Sequence, residues 1–256
     1  ANAFSGAWGF GLDGGAGVDR LLNQGTVSGT MQSFAVARGI SIAGLGAGTA
    51  GAAATGASGG AGLAGGAGDD TLENTGLIDV DFDATATGQA ISGTLAGATV
   101  ADASATATVS GAGAQGDAGA DTVSNAGTVR VDSGAATTAR SISAAGLGAA
   151  LAAANSVADS RATGLAGGAD ADMVDNLAGG DVDVLATARV TATSVTIAVG
   201  GAADGEARTA TTVAATPPAG DRRAHTGRNA RRLTVRGAPS SSPIGRPPPA
   251  AARARG

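Results

Sequence analysis

The chain has 256 residues, of which 45 are glycine and only 2% are aromatic, and it contains no cysteine. Aromatic side chains supply much of the volume of a thick globular core, so this composition excludes such a core and favours thin layers of Ala, Val, Ile and Leu. The net charge of −5 hides an acidic body (1–215), with 20 acids against 7 arginines, and a basic tail (216–256), with 9 arginines against one acid. No apolar run approaches the length of a membrane-spanning helix.

A signature rich in glycine and aspartate recurs every 51 residues along the body. It begins at Gly14 (GGAGVDRLLN), Gly65 (GGAGDDTLEN), Gly116 (GDAGADTVSN) and Gly167 (GGADADMVDN). Each copy has Asp at its sixth position and Asn at its tenth. A fixed interval with no net insertion is typical of a stacked array of repeats. The predicted repeats are residues 14–64, 65–115, 116–166 and 167–215.

The two ends of the chain fall outside these four repeats. Residues 1–13 match the end of a repeat, because Gly11-Leu12 fall where Gly62-Leu63 fall one unit later. We therefore expect the chain to begin inside a truncated preceding repeat of a longer array. A fifth signature is due at position 218 and is missing, so a boundary is placed near Thr216. We interpret the Pro- and Arg-rich tail (216–256) either as disordered or as the product of a shifted reading frame.

Within a repeat, the residues after the signature alternate between apolar and polar. In the second repeat Ile78, Val80 and Phe82 alternate with Asp79 and Asp81, a pattern that predicts a long, half-buried strand. The alternation changes phase near the 27th residue of each repeat, counted from the first glycine of the signature, which predicts a corner or bulge between two strands. The three places are Ile40-Ser41, Ile91-Ser92 and Ile142-Ser143.

The remainder of each repeat consists mostly of glycine and alanine. Residues 44–64 of the first repeat alternate only weakly, so they predict either a second strand with a small-residue face or a loop. The Ala-rich run at 144–154 raises helix as a competitor, but its interleaved glycines disfavour a helix by up to about 1 kcal/mol each. We therefore expect strand there as well.

These patterns together predict an all-β fold, a parallel β-solenoid built from 51-residue repeats. Stacking the repeats in register places Asn over Asn, and side-chain amides can hydrogen-bond along such a ladder. Asp over Asp is unfavourable unless a cation or a hydrogen-bond donor neutralises the carboxylates. The spacing leaves open whether a repeat forms one large coil or several smaller ones.

The stretch Gly65–Glu73 resembles the GGxGxDxUx nonapeptide of RTX (repeats-in-toxin) proteins at every fixed position. The resemblance implies a Gly-rich turn that binds Ca²⁺, a hard cation that takes six to eight oxygens. The implied ligands are Asp19, Asp70, Asp121 and Asp172, with Asp69 as a helper. RTX nonapeptides run in tandem, whereas this chain has one copy per 51 residues, and Asp117 and Asp170 replace signature glycines. The competing interpretation is a Gly-Asp turn whose carboxylate bonds main-chain amides.

The run that follows the signature, such as Asn74-Thr75-Gly76-Leu77-Ile78, resembles the N-x-G-x-I/V coils of bacterial autotransporter passengers and filamentous-haemagglutinin-like adhesins. The fourth repeat breaks this pattern at Asn176-Leu177-Ala178-Gly179. Those families form parallel β-helices exported to the cell surface. The resemblance implies a secreted, surface-exposed array in an extracellular location, with a host-cell surface, a matrix or a glycan as partner.

Other functions have little support in the sequence. With no cysteine, lysine or tyrosine, and with His225 confined to the tail, nucleophile–base pairs are lacking. The carboxylates Asp79, Asp81 and Asp83 leave a β-helical carbohydrate-active enzyme as a remote alternative. The tail arginines have no aromatic neighbours, so nucleic-acid binding is not expected. Thr pairs on exposed strands offer a further alternative, a flat ice- or glycan-binding face. We predict a non-enzymatic structural or adhesive array, with a Ca²⁺-binding RTX-like domain that folds on export as the alternative.

Overall fold

The computed structural model describes residues 1–216 and the two-residue strand Thr234–Val235. Each repeat contributes one short strand and then two long ones. The short strands are β2 (Arg20–Asn23), β5 (Thr71–Asn74), β8 (Thr122–Asn125) and β11 (Met173–Asn176). The first long strands are β3 (Thr26–Leu45), β6 (Leu77–Ala96), β9 (Thr128–Leu147) and β12 (Asp181–Gly200). The second long strands are β4 (Gly48–Ala67), β7 (Thr99–Ala118), β10 (Ala150–Ala169) and β13 (Ala203–Thr216), preceded by β1 (Asn2–Asp13). The strand Thr234–Val235 is β14.

The strands stack into three parallel sheets, each made of the equivalent strand from successive repeats. The orders are β1-β4-β7-β10-β13, β11-β8-β5-β2 and β14-β12-β9-β6-β3. Asn74 pairs with Asn23 on one side and with Asn125 on the other, each 51 residues away. One repeat is therefore one coil, which answers the question that the sequence left open. The predicted parallel β-solenoid is confirmed.

The core lies between the two long strands of each coil and is thin, because Ala and Val fill most of it. Phe82 is the largest fully buried side chain. It fits because Gly111 on the facing strand has no side chain, and a Cβ added there would collide with the Phe82 ring. The same pairing recurs nearer the turn, where Gly62 faces Ile78 and Gly113 faces Val129. Large and small residues thus alternate across the core, as close packing requires.

The prediction of a corner near the 27th residue of each repeat is wrong. Strand β6 runs without interruption from Leu77 to Ala96, and its burial alternates in one phase throughout. Ser92 is buried, whereas Ile40, one coil earlier on the outward column of Ile91, is 69% exposed. The serines at this position can point inward because they bond one another: Ser92 Oγ donates to Ser143 Oγ at 3.3 Å. The paired serine hydroxyls therefore face the core, and the isoleucines, which hydrophobicity alone would place inside, face outward.

The Gly/Ala-rich remainder of the repeat is a strand, not a loop. Residues 48–67 form β4, which pairs with β7 along most of its length. The Ala-rich run 144–154 is likewise extended, divided between the end of β9 and the start of β10. The expected preference for strand over helix is confirmed at this run.

The expectation of no net insertion fails inside the fourth repeat. Asn176 pairs with Asn125 at an interval of 51 residues, but Asp181 pairs with Thr128 at 53. Two extra residues are accommodated in the turn after Asn176, where Gly179 adopts a φ of 99°. The insertion lies in a turn because both flanking strands keep their full pairing.

The position of the missing fifth signature lies outside the described residues. So does the tail interpretation, apart from β14. Among the described residues no helix has the length and apolarity needed to cross a membrane.

Candidate functional site

The glycine signature forms the turn that joins the second long strand of one coil to the short strand of the next. Its second and fourth residues have positive φ in every copy, as at Gly66 (100°) and Gly68 (129°). Only glycine adopts such angles at little cost, although Asp tolerates them better than most residues. The two departures from the signature occupy these same positions: Asp117 has a φ of 77° and Asp170 a φ of 81°. The signature therefore encodes a backbone shape.

The sixth residue of each signature points into the stack and forms a column of aspartates. Asp70 is 2% exposed and Asp121 is 1% exposed. Asp70 Oδ1 accepts the main-chain N–H of Asp19 at 2.8 Å, and Asp121 Oδ1 accepts that of Asp70 at 2.7 Å. Asp172 Oδ1 continues the column by accepting the N–H of Asp121 at 3.0 Å. One carboxylate oxygen per coil thus ties each turn to its predecessor.

The second carboxylate oxygen of this column has no hydrogen-bond partner. Four Oδ2 atoms are buried without one: those of Asp19, Asp70, Asp121 and Asp172. Each of the last three faces the first glycine of its own turn, and a Cβ added at Gly65 would lie 2.7 Å from Asp70 Oδ2. At Gly65 the main-chain oxygen of Gly116 in the next coil is as close, at 2.6 Å, so the carboxylate and the stacked backbone together leave no room for a side chain. The carboxylate also leaves an uncompensated polar atom in every coil, which is costly in a buried site.

Burial raises the pKa of Asp121 above its ordinary value. The hydrogen bond from the main chain of Asp70 opposes this rise in pKa, and the negative charges of Asp70 and Asp172 add to it. Stacked carboxylates disfavour one another's ionisation. Asp121 therefore ionises less readily than an isolated aspartate.

Asp69 lies beside this column but is exposed. Its Oδ1 accepts the main-chain N–H of Ala120 at 2.9 Å. It thus performs the same task from the outside, joining its own turn to the turn of the next coil.

The asparagines at the tenth position form a second column, and this one is fully bonded. Asn23 Nδ2 donates to Asn74 Oδ1, Asn74 to Asn125, and Asn125 to Asn176, each at 2.7 Å. The second amide hydrogen reaches a main-chain carbonyl, as in the 3.1 Å bond from Asn176 to Gly180 O. The predicted Asn ladder is confirmed. The ladder joins the four coils that contain a short strand.

The aspartate column can be compared with what Ca²⁺ requires. The ion takes six to eight oxygens, whereas the turn offers one unpartnered carboxylate oxygen per coil. Among residues 1–216 no group of three or more His, Cys, Asp or Glu side chains is placed to hold a metal ion. Side-chain oxygens alone therefore do not supply the set that the ion requires, and main-chain carbonyls of the turn would have to provide the rest. Calcium binding by Asp19, Asp69, Asp70, Asp121 and Asp172 stays a prediction.

The carboxylates Asp79, Asp81 and Asp83 of the first long strand lie on the outer face, where Asp81 stacks beside Asp132. A shallow groove of about 440 Å³ runs across this face, with Asp81, Asp83 and Asp132 on one side and Thr187 and Arg189 on the other. Burial is the first cause that raises the pKa of Asp132, followed by the charges of Asp81 and Asp83. Burial and then the charges of Asp79 and Asp83 raise the pKa of Asp81. The groove therefore concentrates negative charge.

The predicted Thr faces differ from column to column. One column keeps Thr in three successive coils, because Thr138 pairs with Thr87 on one side and with Thr191 on the other. Thr85 stacks between Phe34 and Ala136, so its column changes residue type from coil to coil. A flat surface of matched hydroxyls is absent at this column.

A surface of aromatic residues on β1 was missed by the sequence analysis. Phe4, Trp8 and Phe10 all point outward and are 76%, 66% and 51% exposed. The indole of Trp8 lies over Gly59 of the next coil, where a Cβ would meet it at 2.5 Å. The signal was present in the sequence as aromatic residues in a period of two (FSGAWGF), the spacing of one strand face.

The chain matches no protein-family model, no curated protein and no solved structure.

Proposed function

We propose that this chain is a rigid segment of a secreted bacterial repeat protein, serving as a stalk or adhesive surface outside the cell and carrying out no catalysis. The observation that carries the proposal is the continuous stack of coils in register, which are 51 residues long except for the two residues inserted after Asn176. The stack is held by the Asn23–Asn74–Asn125–Asn176 ladder and by carboxylate-to-amide bonds. Contacts that repeat at every coil extend a structure in one dimension. The resemblance to exported β-helical adhesins supports the location.

The adhesive part of this function is assigned to the outer faces of the long strands. Phe4, Trp8 and Phe10 form a flat aromatic surface on β1, and exposed apolar patches on soluble proteins mark interaction sites. Aromatic rings with one free face suit the apolar faces of sugar rings, so a glycan or a glycan-coated host or matrix surface is the proposed partner.

Binding to immobilised glycans tests this assignment. Trp8→Ala is expected to weaken binding at least about tenfold, the effect of losing a hot-spot aromatic. Phe34→Ala is the matched control, because Phe34 is also exposed (62%) but lies on β3, in the opposite sheet. Equal losses in both variants, or no loss in Trp8→Ala, would remove the β1 surface from the proposal.

Calcium-dependent folding is the second candidate function, and the unpartnered Oδ2 atoms of the aspartate column favour it. Far-UV circular dichroism of residues 1–215, in EDTA and then in millimolar Ca²⁺, separates the two functions. A self-sufficient stalk keeps its β spectrum in EDTA, because its ladders consist of protein atoms. A chain that becomes β only after Ca²⁺ is added would overturn the stalk and support the RTX-like domain.

A further inference from the structure

The turn that joins the two long strands of a coil consists of glycine and alanine in all four repeats. These distal turns are Gly46-Ala47, Gly97-Ala98, Gly148-Ala149 and Gly201-Ala202. The residues around them, 42–48, 95–98, 144–150 and 197–203, include no polar side chain. Exposed turns are ordinarily rich in Asn, Asp and Ser, and the signature turn at the other end of the second long strand carries an aspartate in every copy. The coil therefore has one polar end and one apolar end.

Large apolar side chains stand out from the coil on both sides of the distal turns. Six of them, on the first long strands, are between 54% and 84% exposed: Ile42, Leu45, Leu95, Leu147, Ile197 and Val199. Across the turn, Val100 and Leu151 on the second long strands are paired with each other and are also exposed. We call these eight residues and the distal turns the apolar edge. Contiguous exposed apolar surface of this kind marks an interaction site.

The main chain of the distal turns is bonded from coil to coil. Gly46 N donates to Ala96 O at 2.9 Å, and Gly48 N donates to Ala98 O at 3.0 Å. The distal turns of the second and third repeats make the same two bonds to the repeat that follows. Main-chain groups that are bonded within the protein can enter a medium without water, whereas unpaired groups enter it only at high cost. The apolar edge is therefore suited to contact with hydrocarbon.

A second copy of the chain does not fit this edge, because too little area is available. Four coils about 4.8 Å apart give a height of roughly 19 Å, and residues 40–45 extend for about 17 Å along the strand. One flank thus offers about 300 Å², against about 800 Å² per partner in a stable protein interface. The second flank faces the opposite way, so a flat partner covers only one of them. Protein interfaces also use about one hydrogen bond per 100–200 Å², and no side chain of the apolar edge makes one.

Charges of both signs border the apolar edge. Two arginines on the first long strands and two aspartates on the second lie at exposed positions: Arg38, Arg140, Asp102 and Asp204. None of the four belongs to an ion pair within residues 1–216, whereas Glu206, on the same flank as Asp204, is paired with Arg208. A zwitterionic phospholipid presents a phosphate to the arginines and an ammonium group to the aspartates. An anionic surface would match the arginines alone.

We propose that the apolar edge is a lipid-contact edge, which lies in the interfacial layer of a zwitterionic phospholipid bilayer without crossing it. Leu45 and Leu147 directly precede the turn, and Val100 and Leu151 lie two residues after it. At about 3.3 Å per residue, these side chains are within roughly 10 Å of the turn, which matches the depth of about 5–10 Å that apolar faces reach in a bilayer interface. Acyl chains surround an edge and cover both of its flanks. The edge is separate from the aromatic surface of β1, so this inference does not rest on the glycan assignment.

Co-sedimentation of the full chain with vesicles of pure phosphatidylcholine tests the proposal. Vesicles without net charge are used because the nine arginines of residues 216–256 would attract an anionic surface by themselves. Leu95→Asp with Leu147→Asp is expected to lower the partition coefficient at least about tenfold, since it removes buried hydrocarbon and places two charges on the edge. Phe34→Asp with Val36→Asp is the matched control, because both residues are exposed on the outer face of β3 but lie outside the edge.

The expected result is that the parent and the control bind the vesicles and the edge variant does not. No binding of the parent, or equal losses in the two variants, would overturn the proposal. Sedimentation velocity without lipid is measured on the same proteins. A dimer that the edge variant dissociates, combined with no binding to vesicles, would assign the edge to a second copy instead. Circular dichroism checks that both variants keep the solenoid.

A fluorescence readout keeps the test decisive if the edge variant does not fold. Trp8 is the only tryptophan of the chain, so Leu95→Trp in a Trp8→Phe background places a single indole on the edge. Brominated phosphatidylcholine is expected to quench this indole more strongly than the indole of Phe34→Trp in the same background. Equal quenching of the two indoles would contradict a lipid contact at the edge.

Discussion

Two columns of identical residues run through the same set of turns, four positions apart, and they are stabilised to different degrees. In the asparagine column each side chain donates to the next one and also reaches a main-chain carbonyl. In the aspartate column Asp70, Asp121 and Asp172 each accept one main-chain N–H and leave the other carboxylate oxygen buried and unpartnered. An amide can be donor and acceptor in the same ladder, whereas a carboxylate can only accept. Stacking in register therefore benefits one column and burdens the other.

Removing one asparagine should break the stronger column. Asn125→Ala leaves the buried amide oxygen of Asn176 without its donor and takes the acceptor Asn125 Oδ1 from Asn74. We expect a loss of about 2–4 kcal/mol in the free energy of unfolding, the cost of orphaned buried polar groups. Equilibrium denaturation in urea measures it. Asn155→Ala, at an exposed position on β10, is the control and should cost less than about 0.5 kcal/mol; similar losses in both variants would contradict the ladder's role.

Neutralising one aspartate should sharpen the contrast through pH. Since the pKa of Asp121 is raised in the folded state, the folded chain binds more protons than the unfolded chain between the unfolded and folded pKa values. This group's contribution to stability therefore falls as pH rises from about 4 toward neutrality. Asp121→Asn keeps an oxygen for the Asp70 N–H and loses this dependence. Urea denaturation in EDTA at pH 4.5 and 7.5 measures the free energy of unfolding, and the variant should become more stable relative to the parent at the higher pH. If the two proteins instead change in parallel with pH, the electrostatic strain assigned to Asp121 is contradicted.

The smallest effect is expected in the turn backbone that carries the aspartate column. Asp170 has a φ of 81° at a position where Gly68 and Gly119 stand in the preceding coils. Asp170→Gly removes the strain of a side chain in the left-handed region and should stabilise the chain by about 0.5–1 kcal/mol. Asp175→Gly, on strand β11, is the matched control and should destabilise. Thermal unfolding of the two variants gives the comparison, and a lower melting temperature for Asp170→Gly would contradict it.

The repeat interval carried most of the fold information. A signature at Gly14, Gly65, Gly116 and Gly167 predicts stacking, and stacking predicts that Asn23 and Asn74 meet. Both predictions were correct because a one-dimensional array converts sequence interval directly into spatial neighbourhood. The aspartates at the sixth position were correctly placed in one column, and the structure adds their main-chain partners. Calcium binding by that column stays a prediction, because the signature specifies the Asp carboxylate but not the other oxygens that the ion would need.

The predictions that failed concern which side of a strand faces the core. Ile91 and Ser92 are adjacent, and hydrophobicity alone assigns the isoleucine to the interior. The structure assigns the serine, because Ser143 in the next coil provides a hydroxyl partner and the backbone continues straight. The aromatic residues of β1 were missed for a related reason: Phe4 and Trp8 look like core residues until the facing strand and Gly59 are known.

The sequence by itself determined that the coils stack, that Asn meets Asn and Asp meets Asp, and that the acidic body and the basic tail differ. These properties follow from interval and composition, which no packing arrangement changes. Only the tertiary structure decided that one coil comprises one repeat, that Ser92 lies inside and Trp8 outside, and that β14 returns to β12. Those outcomes depend on what stands opposite each residue across the thin core and along the sheet edge, and the partners are far away in the chain.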